Sequence, residues 1–291
     1  MDRVASVRRF NRTVTQRVGA LDDHFLSLDR PLGEARLLWE IGAEGRDVRA
    51  LRAQLGLDSG YLSRMLRSLE QADLVEVAPS DGDRRVRTAR LTARGRAERE
   101  ALDSRSDELA ASLLAPLNPA QQGRLVAAME EVERLLTAGM VEIAVADPEH
   151  PHARHCIGEY FAELGRRFEA GLDPADSIPT EPEVLRPPAG LVLVATLRGE
   201  PVGCGALRFY EPDRPDIKRL WVDARVRGLG LGRRLLSELE GEARARGARA
   251  VRLDTNRSLV EAIAMYRAAG YVEVKRFNDE PVAHHWFEKR L

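Results

Sequence analysis

Two stretches of this 291-residue chain carry residue types at spacings suited to phosphate chemistry. The first is Arg227-Gly228-Leu229-Gly230-Leu231-Gly232-Arg233. A pyrophosphate needs several inward-pointing N–H donors and positive potential, and glycines at the mouth of a helix let the backbone approach without Cβ clashes. Arg233 and the following Arg234 add charge. A glycine run alone is a weak signal, but here an apolar strand pattern precedes it at 217–222 and an amphipathic helix pattern follows it. The second stretch is Ser59, Tyr61, Ser63, Arg64 and Arg67, which share the solvent side of a helix whose Leu62, Leu66 and Leu69 pack inward. Short polar and basic side chains near a helix start suit base edges in a major groove. Downstream, residues 84–99 hold seven arginines against one acid, Glu98. Arg84, Arg85 and Arg87 fall on a hairpin whose tip can enter a narrow minor groove, with Asp83 placed to pair with an arginine and hold its shape.

The elements that must position these groups follow from periodicity. Residues 2–21 place Val4, Val7, Phe10, Val14, Val18 and Leu21 at helical intervals, a narrow apolar stripe that a partner subunit or the rest of the chain must cover. A second helix runs from Pro31 to about 43, ended by the glycines at 42 and 45. A short helix at 47–54 breaks at Gly56, and Asp58 and Ser59 supply capping oxygens for a helix over 60–71. That is helix-turn-helix spacing. Strands at 74–77 and 86–91 flank the turn Pro79-Ser80-Asp81-Gly82, Thr92 caps a long helix toward Leu113, and 119–136 forms another. Near residue 140 the pattern changes from helical to alternating. Strands are then expected at 141–145, 191–197, 202–210, 217–222, 250–253, 272–275 and 285–289, with a hairpin at Arg198-Gly199-Glu200. Helices are expected at 154–168 and 228–246. Another runs to Ala269, opened by the capping box Ser258-Leu259-Val260-Glu261. The mixture is that of an α+β sheet with helices on its faces.

Composition narrows the class. The chain is 44% hydrophobic and 31% charged at a net charge of −1, which excludes a polycation and fits two globular domains. No stretch approaches the ~18 apolar residues of a membrane span, and the first five residues lack a signal-peptide pattern, so a cytoplasmic protein is expected. Cys156 and Cys204 are too few for a disulfide framework and read as reduced thiols. His150, His152 and His155 lack carboxylates at ligand spacing and read as surface residues, so no metal is expected.

The text DSGYLSRMLRSLEQADLVE at 58–76, followed by DRRVRTARLTARG at 83–95, resembles the MarR-type winged-helix regulators over about 1–138. The resemblance implies a DNA-binding homodimer that reads a pseudo-palindromic operator, with the first and last helices of the domain forming the dimer interface.

The second half, about 141–291, resembles the GNAT family of N-acetyltransferases. Arg227, Gly230 and Gly232 match its signature, IKRLWV at 217–222 matches the strand before it, and AIAMYRAAGY at 262–271 matches the motif ending in an aromatic after glycine. The resemblance implies acetyl-CoA in a splay after Val222. Its pantetheine would pair with the backbone of Leu220, Trp221 and Val222, and its phosphates would lie on the amides of Gly228, Leu229, Gly230, Leu231, Gly232 and Arg233. A neutral amine then attacks the thioester, a base removes its proton and a weak acid protonates the departing thiolate. Tyr266 stands where the family keeps that acid, and a phenol of pKa ~10 is protonated at neutral pH. Asp216 stands where relatives often place Glu, a shorter carboxylate acting through water, with Glu211 and Asp213 as alternatives. Seven residues before the tyrosine, where many relatives have Asn, this chain has Leu259; Asn256 and Ser258 lie nearby as substitutes for that cofactor contact. His284 and His285 beside Trp286 either line the amine pocket or alternate on an edge strand.

The sequence thus predicts two domains, an all-α winged helix-turn-helix with a β-hairpin wing at 1–138 and an α+β GNAT fold with a mixed central sheet at 141–291. The function expected is a regulator that also acetylates an amine. The alternative is a DNA-binding regulator whose second half senses acetyl-CoA without turnover.

Overall fold

The structure is a computed structural model, and it describes residues 2–19, 30–79, 86–168 and 182–291. The chain divides into two compact units, residues 1–129 and 130–291.

In the first unit most helices start on side-chain caps, among them the helix from Pro119, where Asn118 Oδ1 accepts Gln121 N–H at 2.9 Å. Asp2 caps α1 (Arg3–Arg17), Asp47 caps α3 (Val48–Leu55), Asp58 caps α4 (Ser59–Gln71) and Thr92 caps α5 (Ala93–Leu114). Each cap oxygen accepts an N–H that the first helical turn leaves without a partner. Only α2 (Leu32–Ile41), which follows Pro31, starts without one. Gly56 closes α3 in the left-handed region at φ 62°, and the turn into Asp58 sets α3 against α4. Strands β2 (Val75–Pro79) and β3 (Arg87–Leu91) pair antiparallel, as the hairpin pattern predicts. A third strand, β1 (Arg46–Asp47), pairs with β3 at Ala89 and Thr88 and escapes sequence reading because two residues have no period. The core gathers Leu37, Leu38, Ile41, Leu51, Leu62, Leu66, Leu69 and Leu74 behind α4.

Helix α1 buries none of its residues, and Val4, Val7, Phe10 and Val14 stand exposed. Helix α6 (Pro119–Gly139) also buries none, extends three residues past its expected end, and contains the division between the units.

The second unit is built on a seven-stranded sheet of order β4-β5-β6-β7-β8-β10-β9. The strands are β4 (Val141–Ala146), β5 (Gly190–Leu197), β6 (Glu200–Arg208), β7 (Asp216–Val222), β8 (Ala250–Thr255), β9 (Val272–Glu273) and β10 (His285–Arg290). Every pairing is antiparallel except β7 with β8, so the sheet is mixed. The β5–β6 hairpin turns through Arg198 and Gly199, both at positive φ, a twist that matches the strands. Helix α7 (Pro151–Arg167) covers one face, its Ala153 and Cys156 clustering with Val192, Val194 and Cys204 of the sheet. Helices α8 (Leu231–Ala245) and α9 (Val260–Ala268) have side chains in a second core cluster that includes Leu207, Ile217, Leu253 and Phe287.

The expected capping box of α9 does not form. Its N-cap is Leu259, with no side-chain cap, and the buried Ser258 hydroxyl has no partner among the described residues. Asn256 organises this corner instead, accepting Ser258 N–H at 2.9 Å and donating to Val282 O at 2.7 Å. An Asn turn placed two residues ahead occupies the Ser258 N–H that the glutamate of a capping box would have taken.

Gly95 shows how closely α5 lies on the corner between α4 and β2: a Cβ there would stand 1.9 Å from Leu74 O, a backbone atom that cannot swing away. Gly95→Ala is expected to destabilise the first unit by about 1–3 kcal/mol through forced overpacking. Thermal unfolding reads this as a lowered Tm, and an unchanged Tm would contradict the packing described.

Candidate functional site

Strand β7 pairs with β6 along its length but with β8 only at Asp216↔Arg252 and Ile217↔Leu253. Beyond that the two strands part, and the β8-facing edge of β7 borders open space. The β6 register also shifts opposite this point: Trp221 faces Cys204 and Lys218 faces Ala206, leaving an extra residue in β7. Arg219 absorbs it in a left-handed conformation at φ 54°. A bulge of this kind re-aims side chains, and here Lys218 and Arg219, adjacent in sequence, line the same cavity.

The widened splay leads to a groove of about 620 Å³ bordered by Leu220, Trp221, Val222, Arg227, Gly228, Gly230, Leu231, Gly232 and Arg233. Gly228 and Gly230 both have positive φ, and Gly230 is the N-cap of α8 with no side-chain cap. The amides of residues 228–233 donate to no acceptor among the described residues, and the first α8 bond is Arg234 N–H to Gly230 O. These six N–H groups lie at the positive end of a 15-residue helix, where the dipole favours negative charge. Leu229 contributes backbone only, since its side chain packs against the core. Arg227 does not reach toward an anion: its guanidinium pairs with Glu163 of α7 and donates to Val222 O at 3.1 Å, fixing the loop to strand and helix. Glu163 also accepts from the Trp221 indole at 3.0 Å. Arg234 turns away to Val141 O at 2.7 Å, contrary to the charge assigned to it by position, whereas Arg233 lines the groove with no ion pair among the described residues.

A second cavity of about 320 Å³ opens on the same strands and shares Tyr160, Leu164, Leu220, Leu259, Ala262 and Tyr266 with the groove. Tyr266 lies on α9, 7% exposed, between the rings of Tyr271 and Phe287 at 6.0 Å each. Its hydroxyl has no partner among the described residues, and burial pushes the phenol well above its ordinary value. Asp216 faces this cavity and is 4% exposed. Burial raises its carboxyl against the opposing charges of Lys218 and Arg252, and Arg252 Nε donates to it at 3.3 Å. Glu211 stands on the rim and takes Arg252 Nη2 at 3.2 Å. Asp213 does not line the cavity: its carbonyl accepts the N–H groups of Arg249 and Ala250 where β8 begins.

Asn256 borders this second cavity rather than the groove, with its amide committed to Val282 and Ser258, and Ser258 borders neither. His284 and His285 line neither cavity; β10 lies between β8 and β9, so it is not an edge strand, and His285 pairs with Glu273 at 2.6 Å. His150 is the N-cap of α7, and no group of three His, Cys, Asp or Glu is arranged for a metal among the described residues. Sequence reasoning missed Tyr160 and Glu280. Tyr160 is a second phenol at the junction, pushed up by burial, and Glu280 is a carboxylate only 6% exposed that borders the cavity. Tyr160 lies about a hundred positions before Tyr266, and Glu280 in an irregular stretch where no period points to it.

In the first unit Ser59, Tyr61, Ser63, Arg64 and Arg67 are all exposed on α4, while Leu62, Met65, Leu66 and Leu69 are buried behind them. The Arg64 guanidinium stands 5.7 Å from the Tyr61 ring. Arg87 is exposed on β3. Asp83, Arg84 and Arg85 lie outside the described residues.

The Gly232 Cβ position stands 3.2 Å from Met265 Sδ and 3.7 Å from Val222 Cγ2, so a branched side chain there must give way into the groove. Gly232→Val is expected to weaken coenzyme A, used as the diphosphate probe, about tenfold or about 1.4 kcal/mol in calorimetry. An unchanged Kd would place the diphosphate elsewhere.

Comparison with known proteins agrees with both halves. The model of the acetyltransferase (GNAT) family matches residues 155–271, and that of the MarR family matches residues 27–86. A protein of Azospirillum brasilense named IAA acetyltransferase is 38% identical over 109 residues, covering 37% of this chain and 71% of the relative. An uncharacterized N-acetyltransferase of Schizosaccharomyces pombe is 33% identical over 129 residues, covering 43% of this chain and 78% of the relative. Among solved structures, a cysteine-to-serine variant of MarR from E. coli matches at 22% identity and a TM-score of 0.39, covering 45% of this chain and 96% of that one. The chain therefore belongs to the GNAT acetyltransferase family, with a MarR-family winged helix-turn-helix region preceding the transferase fold in one polypeptide.

Proposed function

We propose that the second unit transfers an acetyl group from acetyl-CoA to an amine by direct attack, and that the first unit binds operator DNA as a homodimer. The observation that carries the first part is the run of unpartnered amides at 228–233, which opens into a groove sharing Tyr266 with a second cavity. Acetyl-CoA supplies an acetyl group already activated as a thioester. The chain does the remainder: the amides at 228–233 hold the diphosphate, the open edge of β7 at Leu220, Trp221 and Val222 aligns the pantetheine, and the junction between cavities brings amine and acyl carbon together. The C–N bond forms as the C–S bond breaks. Asp216 takes the proton from the amine through water, and Tyr266 donates a proton to the departing sulfur. Burial suits both groups, since it raises the carboxylate's affinity for a proton and keeps the phenol protonated.

Tyr266→Phe is expected to lower kcat about 100-fold with little change in KM for acetyl-CoA, the size general acid catalysis contributes. Tyr160→Phe should cost far less; the reverse ranking in a thiol-release assay would transfer the acid role to Tyr160. Because the Tyr266 phenol is pushed up, its deprotonation should produce no alkaline fall in kcat below about pH 10, the ordinary phenol value. A falling limb near neutrality that disappears in Tyr266→Phe would contradict this environment.

For the first unit, the supporting observation is the exposed polar and basic face of α4 ahead of an arginine-bearing wing. The exposed stripe of α1 supports a homodimer, since a second copy would cover Val4, Val7, Phe10 and Val14. Arg67→Ala and Arg87→Ala are each expected to weaken binding to the DNA upstream of the gene and to reduce the salt slope by about one if the arginine meets a phosphate. Fluorescence anisotropy across a salt series measures both, and unchanged slopes in both variants would remove α4 and the wing from the interface.

A further inference from the structure

Four acids border the second cavity, Glu211, Asp216, Asp254 and Glu280, and they are unevenly distributed among its cations. Four cations border it: Arg208, Lys218, Arg219 and Arg252. Lys218 pairs with Asp254, and Arg252 pairs with both Asp216 and Glu211. Arg208 and Arg219 have no ion-pair partner among the described residues. The Arg208 guanidinium lies over the Tyr210 ring at 3.5 Å, and that of Arg219 over the Phe161 ring at 4.4 Å. Rings orient a guanidinium without neutralising it. Arg219 is only part-exposed, and the nearby Glu280 acts on it through space.

The backbone adds a second observation. Arg219 occupies its place through a left-handed conformation that a non-glycine residue adopts only under strain, and such strain persists where the surroundings require it. The bulge brings Arg219 to the cavity beside Lys218. Arg208 arrives there by ordinary pairing, since Arg208, Asp216 and Arg252 form one lateral row across β6, β7 and β8. One end of this row carries an unmatched guanidinium. At the other, two carboxylates share a single arginine.

We propose that the acceptor is an amino carboxylate, a free amino acid or a close analogue, whose carboxylate is held by Arg208 and Arg219 while its amine lies toward Asp216. A guanidinium presents a fork of donors that suits a carboxylate, and two of them in a semi-enclosed cavity are left unsatisfied by any acceptor lacking that group. The cavity, at about 320 Å³, is at the small end for small-molecule sites and fits a single amino acid rather than an extended chain. This inference rests on the second cavity being the acceptor site of the transferase proposed above.

The test is calorimetry on the full chain saturated with coenzyme A. Each of the common amino acids is compared with its own carboxamide, which keeps the amine and side chain and removes the negative charge. At least one amino acid is expected to bind tenfold or more tightly than its amide. That preference is expected to fall below threefold in both Arg208→Gln and Arg219→Gln. Arg208→Gln, at the end of a regular strand, keeps the test decisive if the strained position does not tolerate Gln. Equal binding of acids and amides, absence of binding by every amino acid, or a preference that survives both variants would overturn the inference. Acetyl transfer is scored separately by thiol release: a tenfold preference without transfer to any member would sink the transferase reading and leave the carboxylate site standing.

Discussion

The second unit depends on one unfinished pairing. Strands β7 and β8 run parallel for two residue pairs and then part, which leaves the β8-facing edge of β7 open, and among the described residues no group accepts from the amides ahead of α8. Backbone polar groups removed from one another must find an acceptor, from water or from a ligand rich in acceptor oxygens. The rest of the site follows from how the opening is kept. Asp254 and Lys218 form an ion pair across it just past the last strand pair, Arg227 ties the loop to Glu163 on α7, and Asn256 fixes the turn into α9 that carries Tyr266. The first contact links the two strands and the other two fix the loop and the turn beside them, whereas a continuous ladder would close the groove.

Backbone strain is also found at this place. Arg219 is a non-glycine residue in the left-handed region, within β7 and between the strand pair that starts the splay and the residues that border the groove. The first unit has no such feature on its exposed arginine face. There, ordinary caps at Asp47, Asp58 and Thr92 set the helix starts, and a leucine core holds α4 with its polar side outward. A DNA reader needs a rigid helix presenting the right side chains. A transferase needs an opening, and an opening in a sheet requires irregular backbone.

What was legible in the sequence reflects this difference. Alternation and helical spacing revealed nearly every regular element, and the caps located helix starts to within a few residues. The glycine run was readable because its chemistry is local: the donors, the glycines and the helix start are consecutive. Tyr266 was placed by family resemblance and does border both cavities. The misreadings concern side-chain direction. Arg234 was counted with Arg233 as charge for a phosphate and Arg227 as a cofactor-binding position, yet Arg227 braces the loop and Arg234 turns to β4. Ser258 carried the letters of a capping box, but Asn256 had already taken Ser258's own N–H. Tyr160, Arg208 and Glu280 meet the site only through the fold. Strand β1 is held by pairing alone, which no pattern within two residues can announce.

The account therefore stands on whether the amides at 228–233 hold the cofactor. Hydrogen exchange of the full chain, measured with and without coenzyme A, reads those amides directly. They should exchange freely in the free protein, since nothing within the described residues accepts from them, and become strongly protected when coenzyme A is added. Protection appearing elsewhere in the chain while residues 228–233 continue to exchange freely would contradict the account.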